Sequence, residues 1–579
     1  MGRSALLAAL ALLVAPAAGG IGEASVGLVH VTANTGLAAG GHLALRLDDH
    51  AYHWEVHEHG FLVLAREEWS TFALRYGTLE NRSMRLVRLD LLPEQQTRLE
   101  GALLRFWRAQ QRDLSRLEAL SIEHRWHRHL EGADPPTLAG AGFFDDGLPA
   151  EPSAAALRER VVRELGPGVL GDEQARAEAR LDTAVGEELR DALLLREALI
   201  ALLEARGLAA DVLIDPTAAL GEAGELSTRE RELLTDLAAT LERSVLQLLR
   251  SPRPDRGRPL LLALARYQAV ALSLDRDRLL LLDAISDQRV VLDPEASARH
   301  RDLVSEMAAR MARGWRQERQ ALGSAPLDEV TYSQLEEIAT GLHEMTAALE
   351  HGQPLRARPL GRLIPNRPGA VDPMPGARPL EGQADHAAAR EERFRAELAQ
   401  RYGYDLMRHN CATEIDAVLA EASGLDAGPL AFIPAGLARD VAASDLARET
   451  LDLPSHRRRR VAELARQEGR LRVALRESNT WTSTVYQGSI TDDAFFFFAD
   501  GTPWTRPLLG TTNLVYGIGQ ATVGLATAPF DRGRRTWSGL RGAFYSVPEM
   551  FGFSIRKGRY DLLPEPIAQH SAVQASQPQ

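Results

Sequence analysis

His42-Leu-Ala-Leu-Arg-Leu47 and Tyr52-His-Trp-Glu-Val-His57 alternate apolar and polar residues at every step. That is the period of a strand with one buried face. Asp48-Asp49-His50 between them is a turn signal, so the two segments pair as a hairpin. Leu43, Leu45 and Leu47 share one face of the first strand; Tyr52, Trp54 and Val56 share one face of the second. Bringing these apolar faces together forces paired positions to an odd sum. His42 then stands opposite or diagonal to His53, Glu55 or His57, so an imidazole and its orienting partner can meet across the pair. Alternating polar residues usually face solvent, which is the plainer reading of the same pattern.

Working outward, Gly27 to Thr32 and Arg85 to Asp90 read as further strands, and Leu92-Pro93-Glu94 opens a helix through Trp107. From about 110 the period becomes helical, as in Leu234, Leu237, Leu241, Val245 and Leu248. Prolines crowd residues 351–380, which form a stiff connector. The division expected is a signal peptide at 1–22, a His-bearing half at 23–110 and a helical insertion at 111–350. A Pro-rich connector at 351–385, a Cys-bearing half at 386–430, a helical segment at 431–478 and an apolar region at 479–579 follow.

Arg3, the apolar run Ala5 to Ala15 and the small residues after Pro16 make a secretory signal peptide, with cleavage expected near Ala18. The expected location is the periplasm. A net charge of −12 and a pI near 5.8 argue against a nucleic-acid partner. The 579 residues hold one cysteine, Cys411. One cysteine forms no internal bridge, so in an oxidising compartment it is either buried and inert or kept for its chemistry.

Asn410 is a good N-cap, and Cys411 with Ile415, Val418, Leu419 and Ala422 forms one helical face ending at Gly424. A thiol in the first turn of a helix meets free N–H groups that favour a thiolate or hold an oxyanion. The expected consequence is an acidic thiol. A nucleophilic cysteine needs a base within hydrogen-bond reach and a third group to orient that base. His42 is the candidate base, His53 the first candidate orienter and Glu55 the second; Asn410 caps the helix or assists the oxyanion site. The plainer reading is that a small cysteine on an apolar helical face is core.

Gly41-His42-Leu-Ala-Leu-Arg-Leu47, Tyr52-His-Trp54, Val87-Arg-Leu-Asp-Leu-Leu-Pro-Glu-Gln95 and Tyr404 with Asn410-Cys411-Ala-Thr413 resemble the periplasmic domain of Lnb-type bacterial lipoprotein N-acyltransferases. The resemblance covers about 23–110 and 400–424. It implies a circularly permuted papain-like fold, with histidine before cysteine in the chain. Relatives of lecithin:retinol acyltransferase share that order and have a second histidine where this chain has His53. The fold class expected is therefore α+β: a permuted papain-like cysteine domain with a large helical insertion and a C-terminal apolar region. The activity implied is acyl transfer through a Cys411 thioester, from a phospholipid donor to a lipoprotein amine. The chain departs from the family's Asn-Cys-Thr-Thr-Arg at Ala412 and Glu414. A cysteine hydrolase of cell-wall peptide or lipid ester bonds is the alternative enzyme, and an envelope protein with an inert cysteine is the non-enzymatic one.

His57-Glu58-His59 and the histidines at 124, 127 and 129 match no standard zinc spacing, so no metal and no cofactor is expected. Arg457 to Arg460 read as a solvated helix face. Residues 507–530 contain no charged side chain, and Asp531-Arg-Gly-Arg-Arg535 separates them from a second apolar stretch, 543–555. Two apolar segments around a basic turn form an interfacial hairpin, with Arg532, Arg534 and Arg535 at the headgroups of a membrane surface, or a hairpin buried on the domain. Phe495 to Phe498 is a buried strand or part of the same apolar surface.

Overall fold

The computed structural model describes residues from Val26 to Phe551, apart from 33–40, 285–290, 295–300, 323–326, 357–363, 374–380, 486–493, 499–504 and the positions 58, 146, 148, 222–223 and 293. The signal-peptide expectation at 1–22 and the end of the second apolar stretch lie outside the described residues. The protein is mixed α and β and divides into two compact units, 1–110 with 401–579, and 111–400.

The first unit is built on a six-stranded antiparallel sheet: β1 (Val26–Val31), β2 (His42–Leu47), β3 (His50–Val56), β4 (Leu62–Glu68), β5 (Met84–Leu89) and β6 (Ala447–Leu453). The strand order is β6-β5-β1-β2-β3-β4. β2 and β3 pair with Ala44 opposite His53 and Leu45 opposite Tyr52, the odd-sum register of the hairpin reading. Val31 stands opposite His42 on the other side of β2.

Both faces of this sheet are covered. On one, Leu28, Leu43, Leu45, Trp54, Leu62, Leu64 and Val87 pack against Leu99 and Leu103 of α2 (Pro93–Leu130), Ile415 and Leu419 of α3 (Cys411–Ser423), and Leu437 and Val441 of α4 (Pro434–Ala443). On the other, Val29, Val31, Ala44, Ala51, Met84 and Leu86 lie under Trp69 and Phe72 of α1 (Trp69–Leu74) and Tyr76 of the following π turn. The polar face of the hairpin is therefore not solvated. His53 is fully buried, which a strand pattern alone could not announce.

Two strands differ from expectation. β4 carries Leu62 and Leu64 inward on one face and adds to β3 with Ala65 opposite His53. β6 lies inside 431–478, where helix was expected throughout. Its sequence, Ala-Arg-Glu-Thr-Leu-Asp-Leu, is polar because it is an edge strand. Arg85–Asp452 at 3.2 Å and Arg88–Glu449 at 3.0 Å link it to β5. The rest of that segment is helical, in α4, α5 (His456–Glu468) and α6 (Arg470–Glu477). Arg457 is not on a solvated face: it is buried, donates to the Glu477 carbonyl at 2.7 Å and lies over the Phe498 ring.

The second unit is mainly helical. Helices Glu187–Leu203, Thr228–Arg250 and Gly257–Asp275 hold one apolar cluster, and Thr228–Arg250 joins Arg301–Ala321 and Glu329–His351 in another. Ser227 and Glu230 form a capping box at the start of Thr228–Arg250. Leu234, Leu237, Leu241 and Val245 of that helix are buried. In the range read as a connector, Leu355–Arg356 and Pro368–Ala370 are short strands, and a helix already begins at Gln383.

β4 is the other edge of the sheet, and α2 seals it with a side chain. The buried Gln110 amide accepts from the Leu64 N–H at 2.7 Å and donates to the Leu62 carbonyl at 2.9 Å, as a neighbouring strand would. Gln110→Leu leaves both backbone groups buried and unpaired, a cost of about 1–3 kcal/mol each. Urea unfolding of the variant should show a lower midpoint; an unchanged midpoint would mean that the edge is sealed without the amide.

Candidate functional site

The start of β2 and the start of α3 build the site. α3 begins at Cys411 because Asn410 caps it. The Asn410 side chain accepts from the N–H groups of Ala412 at 2.7 Å and Thr413 at 3.2 Å. Its amide donates to the carbonyls of Leu406 at 2.7 Å and Phe432 at 3.1 Å, and the Thr413 hydroxyl accepts from the Asn410 N–H. Asn410 is thus buried and fully engaged as the cap. Cys411 follows in the first turn, and the apolar face of α3 seats it against Leu43 and its neighbours on the sheet.

The backbone N–H groups of Leu43, Cys411 and Ala412 lie near enough to the Cys411 sulfur to favour its ionised form. Leu43 is the residue after His42, so the thiol meets the sheet beside the strand position that carries the imidazole. Cys411 keeps a partial opening to solvent as a residue, while its sulfur is desolvated by what surrounds it.

The imidazoles form a chain. His42 Nε2 lies 3.1 Å from His53 Nδ1, and His53 Nε2 lies 2.8 Å from a Glu67 carboxylate oxygen. A carboxylate only accepts, so His53 donates through Nε2–H and takes a hydrogen bond at Nδ1 from His42 Nε2–H. This tautomer leaves Nδ1 of His42 as its basic nitrogen. Glu67 is buried on β4, two positions along from the residue opposite His53. Glu67 therefore holds His53, and His53 in turn bonds His42, the base for which His53 was the first and Glu55 the second candidate orienter.

Glu55 serves the same cluster differently. It accepts from the Tyr76 hydroxyl at 2.9 Å, pairs with Arg75 at 2.7 Å and stands 3.7 Å from His53 Nδ1. Although burial opposes its ionisation, Arg75 and the two imidazoles hold its carboxyl at about 2. Tyr76 stacks on the His42 ring at 5.5 Å between centroids, and Arg82 lies 5.1 Å from the Tyr76 ring. Arg82 is fixed by the Thr32 carbonyl and Glu80, and its charge acts on both His42 and Cys411.

The expectation of an acidic thiol is overturned. Burial pushes the Cys411 thiol up to about 11, more than the three N–H groups and Arg82 pull it down. Burial likewise lowers His42 well below the ordinary imidazole value, with His53 and Arg82 adding to the effect. In the resting protein the Cys411 thiol and the His42 imidazole are both neutral. The helix start was legible in the sequence; the depth of the pocket was not.

A lip precedes the cap. Tyr404, Leu406 and Met407 are exposed, and the Tyr404 hydroxyl is raised by burial and by the neighbouring Cys411. The Asp405 carboxylate accepts from the Met407 and Arg408 N–H groups and shapes this turn; the Tyr404 N–H donates to the Gly60 carbonyl at the β3–β4 turn.

Among the described residues, His42, His53 and Glu55 form one set whose donor atoms lie within 4.8 Å of one another, the distance a metal ion would need. Two arginines stand against that set and Glu55 is already shared by Arg75 and Tyr76, so the donors fit a proton relay better than a cation. Of the histidines grouped by sequence, His124 pairs with Glu391 at 2.9 Å in the other unit. Sequence reasoning missed Glu67, Arg75, Tyr76 and Arg82. Only Glu67 had a usable signal: it shares a strand face with Val63 and Ala65, opposite the inward Leu62 and Leu64.

No family model, curated protein or solved structure matches the chain.

Two measurements check this geometry. Alkylation of Cys411 in the resting protein should climb with pH up to pH 10 without reaching a plateau, whereas a midpoint below about 8.5, the free thiol value, would contradict the buried neutral pair. Asn410→Ala removes the cap and its two carbonyl contacts, and should lower stability by about 1–3 kcal/mol in denaturant titration while slowing or scrambling Cys411 alkylation.

Proposed function

We propose that the first unit is a thiol-dependent acyl-transfer enzyme of the bacterial periplasm, working through a thioester on Cys411. The observation that carries this reading is the packing of Cys411, in the first turn of α3, on the sheet face of Leu43, the residue after His42, whose imidazole opens the His42–His53–Glu67 hydrogen-bond chain. A strand-borne histidine ahead of a helix-borne cysteine, on an antiparallel sheet, supports a circularly permuted papain-like domain.

In this reading Nδ1 of His42 takes the thiol proton as the sulfur attacks the ester carbonyl of the donor. No resting ion pair is needed, since proton transfer and attack proceed together. The Cys411 N–H at the start of α3 receives the developing negative charge. Collapse breaks the ester C–O bond, and His42 returns the proton to the leaving alcohol, leaving the acyl group on sulfur. An amine then attacks the thioester, His42 accepts its proton, the C–S bond breaks and the proton returns to the sulfur. The products are an alcohol, an amide and the free thiol. His53 and Glu67 are positioning residues that hold the His42 tautomer and support its cationic form.

The donor proposed is a phospholipid and the acceptor a lipoprotein amine. The exposed lip of Tyr404, Leu406 and Met407 beside the thiol suits an acyl chain better than a peptide. The hydrolase reading shares the first half and ends with water as acceptor. The inert-cysteine reading draws on the burial of the thiol.

The full chain should be incubated with phospholipid and a diacylated lipopeptide. Cys411 should gain one acyl mass that hydroxylamine removes, and amine should raise turnover above the release of free fatty acid. Release unaffected by amine would assign the hydrolase; no acyl adduct with any ester would assign the inert cysteine. Cys411→Ala and His42→Ala should abolish turnover. Glu67→Gln should lower kcat about 10–100-fold with little change in KM, because the carboxylate that fixes the His53 ring, and through it His42, is lost. Activity needs neutral His42, and its value is depressed, so the acidic limb of the kcat profile should fall below pH 6.5. Glu67→Gln should move that limb, which a merely structural role would leave in place.

A further inference from the structure

The last part of the first unit is a helical hairpin with its residue pattern inverted. α7 (Arg506–Asp531) and α8 (Arg534–Met550) run against each other across a turn at Arg532 and Gly533, both in the left-handed region. A water-soluble helix pair puts large apolar residues between its helices. Here Gly517 and Ala521 of α7 meet Gly539 and Ala543 of α8, Gly510 lies against Glu549 and Gly524 against Thr536, while Gly542 of α8 backs onto Ala494. A Cβ on Gly517 would stand 2.7 Å from the Ala543 nitrogen, so the backbones approach too closely for a larger residue.

The large residues face outward. Leu508, Val515, Ile518 and Leu525 recur at seven, three and seven along one stripe of α7. Trp537, Leu540, Phe544, Val547 and Phe551 recur at three and four along α8 and its end. Phe530, beside the turn, is 91% exposed and Trp537 72%. Small residues between helices with apolar residues outside is the arrangement of helices packed in lipid, where tails replace water around the pair. Among the described residues, no helix is long and apolar enough to cross a membrane.

Charge selects the kind of surface. The chain as a whole carries −12, yet between 506 and 551 five arginines stand against only Asp531 and Glu549. Arg532, Arg534 and Arg535 sit exposed at the turn, Arg541 is exposed on α8, and Glu549 is buried. An acidic protein with one basic, apolar element is built to place that element on an anionic surface.

The connection to the rest of the unit is built. The Asn513 side chain is buried, accepts from the N–H groups of Phe496 and Phe497, and donates to the Phe497 carbonyl. Phe495 and Phe498 are buried, and the Phe498 N–H donates to the Ser478 carbonyl at the end of α6. Trp481, 73% exposed, packs edge-on to Phe496, which in turn meets Tyr516 of α7. These rings extend the apolar surface beyond the hairpin with side chains that favour the membrane–water interface.

We infer that α7 and α8 form a monotopic docking element that lies in the headgroup–acyl boundary of an anionic lipid leaflet, with their outer stripes in the acyl region and Arg532, Arg534, Arg535 and Arg541 among the headgroups. The inference does not rest on the acyl-transfer reading.

The test is co-sedimentation of the full chain with vesicles of phosphatidylcholine alone and of phosphatidylcholine with phosphatidylglycerol. Binding to the mixed vesicles should be stronger and should weaken with salt. The combined Ile518→Ser, Leu525→Ser and Phe544→Ser variant changes exposed residues only; its melting temperature should hold while vesicle affinity falls at least tenfold. Arg532→Gln, Arg534→Gln and Arg541→Gln together should cost roughly a hundredfold on mixed vesicles at low salt, at about fivefold each, and little on neutral ones. As a second reading, acyl-brominated lipid should quench tryptophan fluorescence, and Trp537→Phe should remove most of that quenching. Equal binding by the triple serine variant and the parent would overturn the inference. So would failure to bind either vesicle, including the case where the parent self-associates and the serine variant is a monomer, since a second copy would then cover the surface. Cys411→Ala should bind vesicles like the parent, so loss of turnover and loss of docking are read separately.

Discussion

The pairing of β2 with β3 is the constraint on which the site depends. Because Ala44 lies opposite His53, His42, His53 and Glu55 share the face beneath α1 and Tyr76, while Leu43 and Leu45 take the face that receives α3. A slip of one residue would exchange every side chain between the faces. On β2 it would move Leu43, Leu45 and Leu47 to the face of Glu67 and turn His42 into the apolar layer under α3. The leucines therefore do more than fill a core: each inward Leu on β2 fixes where an imidazole emerges on the opposite side.

The same pairing explains what was legible from the sequence and what was not. His42 and His53 could be matched from alternation alone, since the parity of their positions follows from Leu43, Leu45, Tyr52 and Trp54. The start of α3 was legible because Asn410 is a strong cap and Gly424 a strong stop. β4 was harder to see: Leu62 and Leu64 alternate, but Arg66, Glu67 and Glu68 look like a solvated end, and only α1 and the sheet bury Glu67. β6 is an edge strand whose charged residues answer Arg85 and Arg88, so its pattern carries no apolar period. The acidity of the thiol was misjudged for a related reason. A helix N-terminus is visible in sequence, whereas the extent to which neighbours exclude water from a sulfur is a property of the assembled fold.

Electrostatics in the cluster work by division of labour. Arg75 lowers the cost of Glu55, burial with the charges of Arg82 and Arg75 holds His42 neutral, and Tyr76 joins the two by stacking on His42 and donating to Glu55. A buried imidazole that stays neutral opposes folding only in acid: below about pH 6.5 the unfolded chain binds the proton first. The depressed Glu55 carboxyl works in the same sense, since its contribution is present above its unfolded value and is lost as pH falls toward about 2. Both place the stable range of this unit at neutral pH and above the acid limb.

The division of the first unit between 1–110 and 401–579 sets a timetable for the chain as it is made. Its first five strands leave the ribosome with β5 as an open edge, and the strand that covers it, β6, lies beyond the whole of 111–400. At synthesis rates of about 5–20 residues per second the wait from β5 to β6 is roughly 20–70 s. An uncovered edge is a template for pairing with other chains over that time. The long helices of 111–400, rich in local contacts, can fold while the strands wait. Cys411 is made only after them, so a nascent chain stalled anywhere before α3 carries His42, His53 and Glu67 without the thiol.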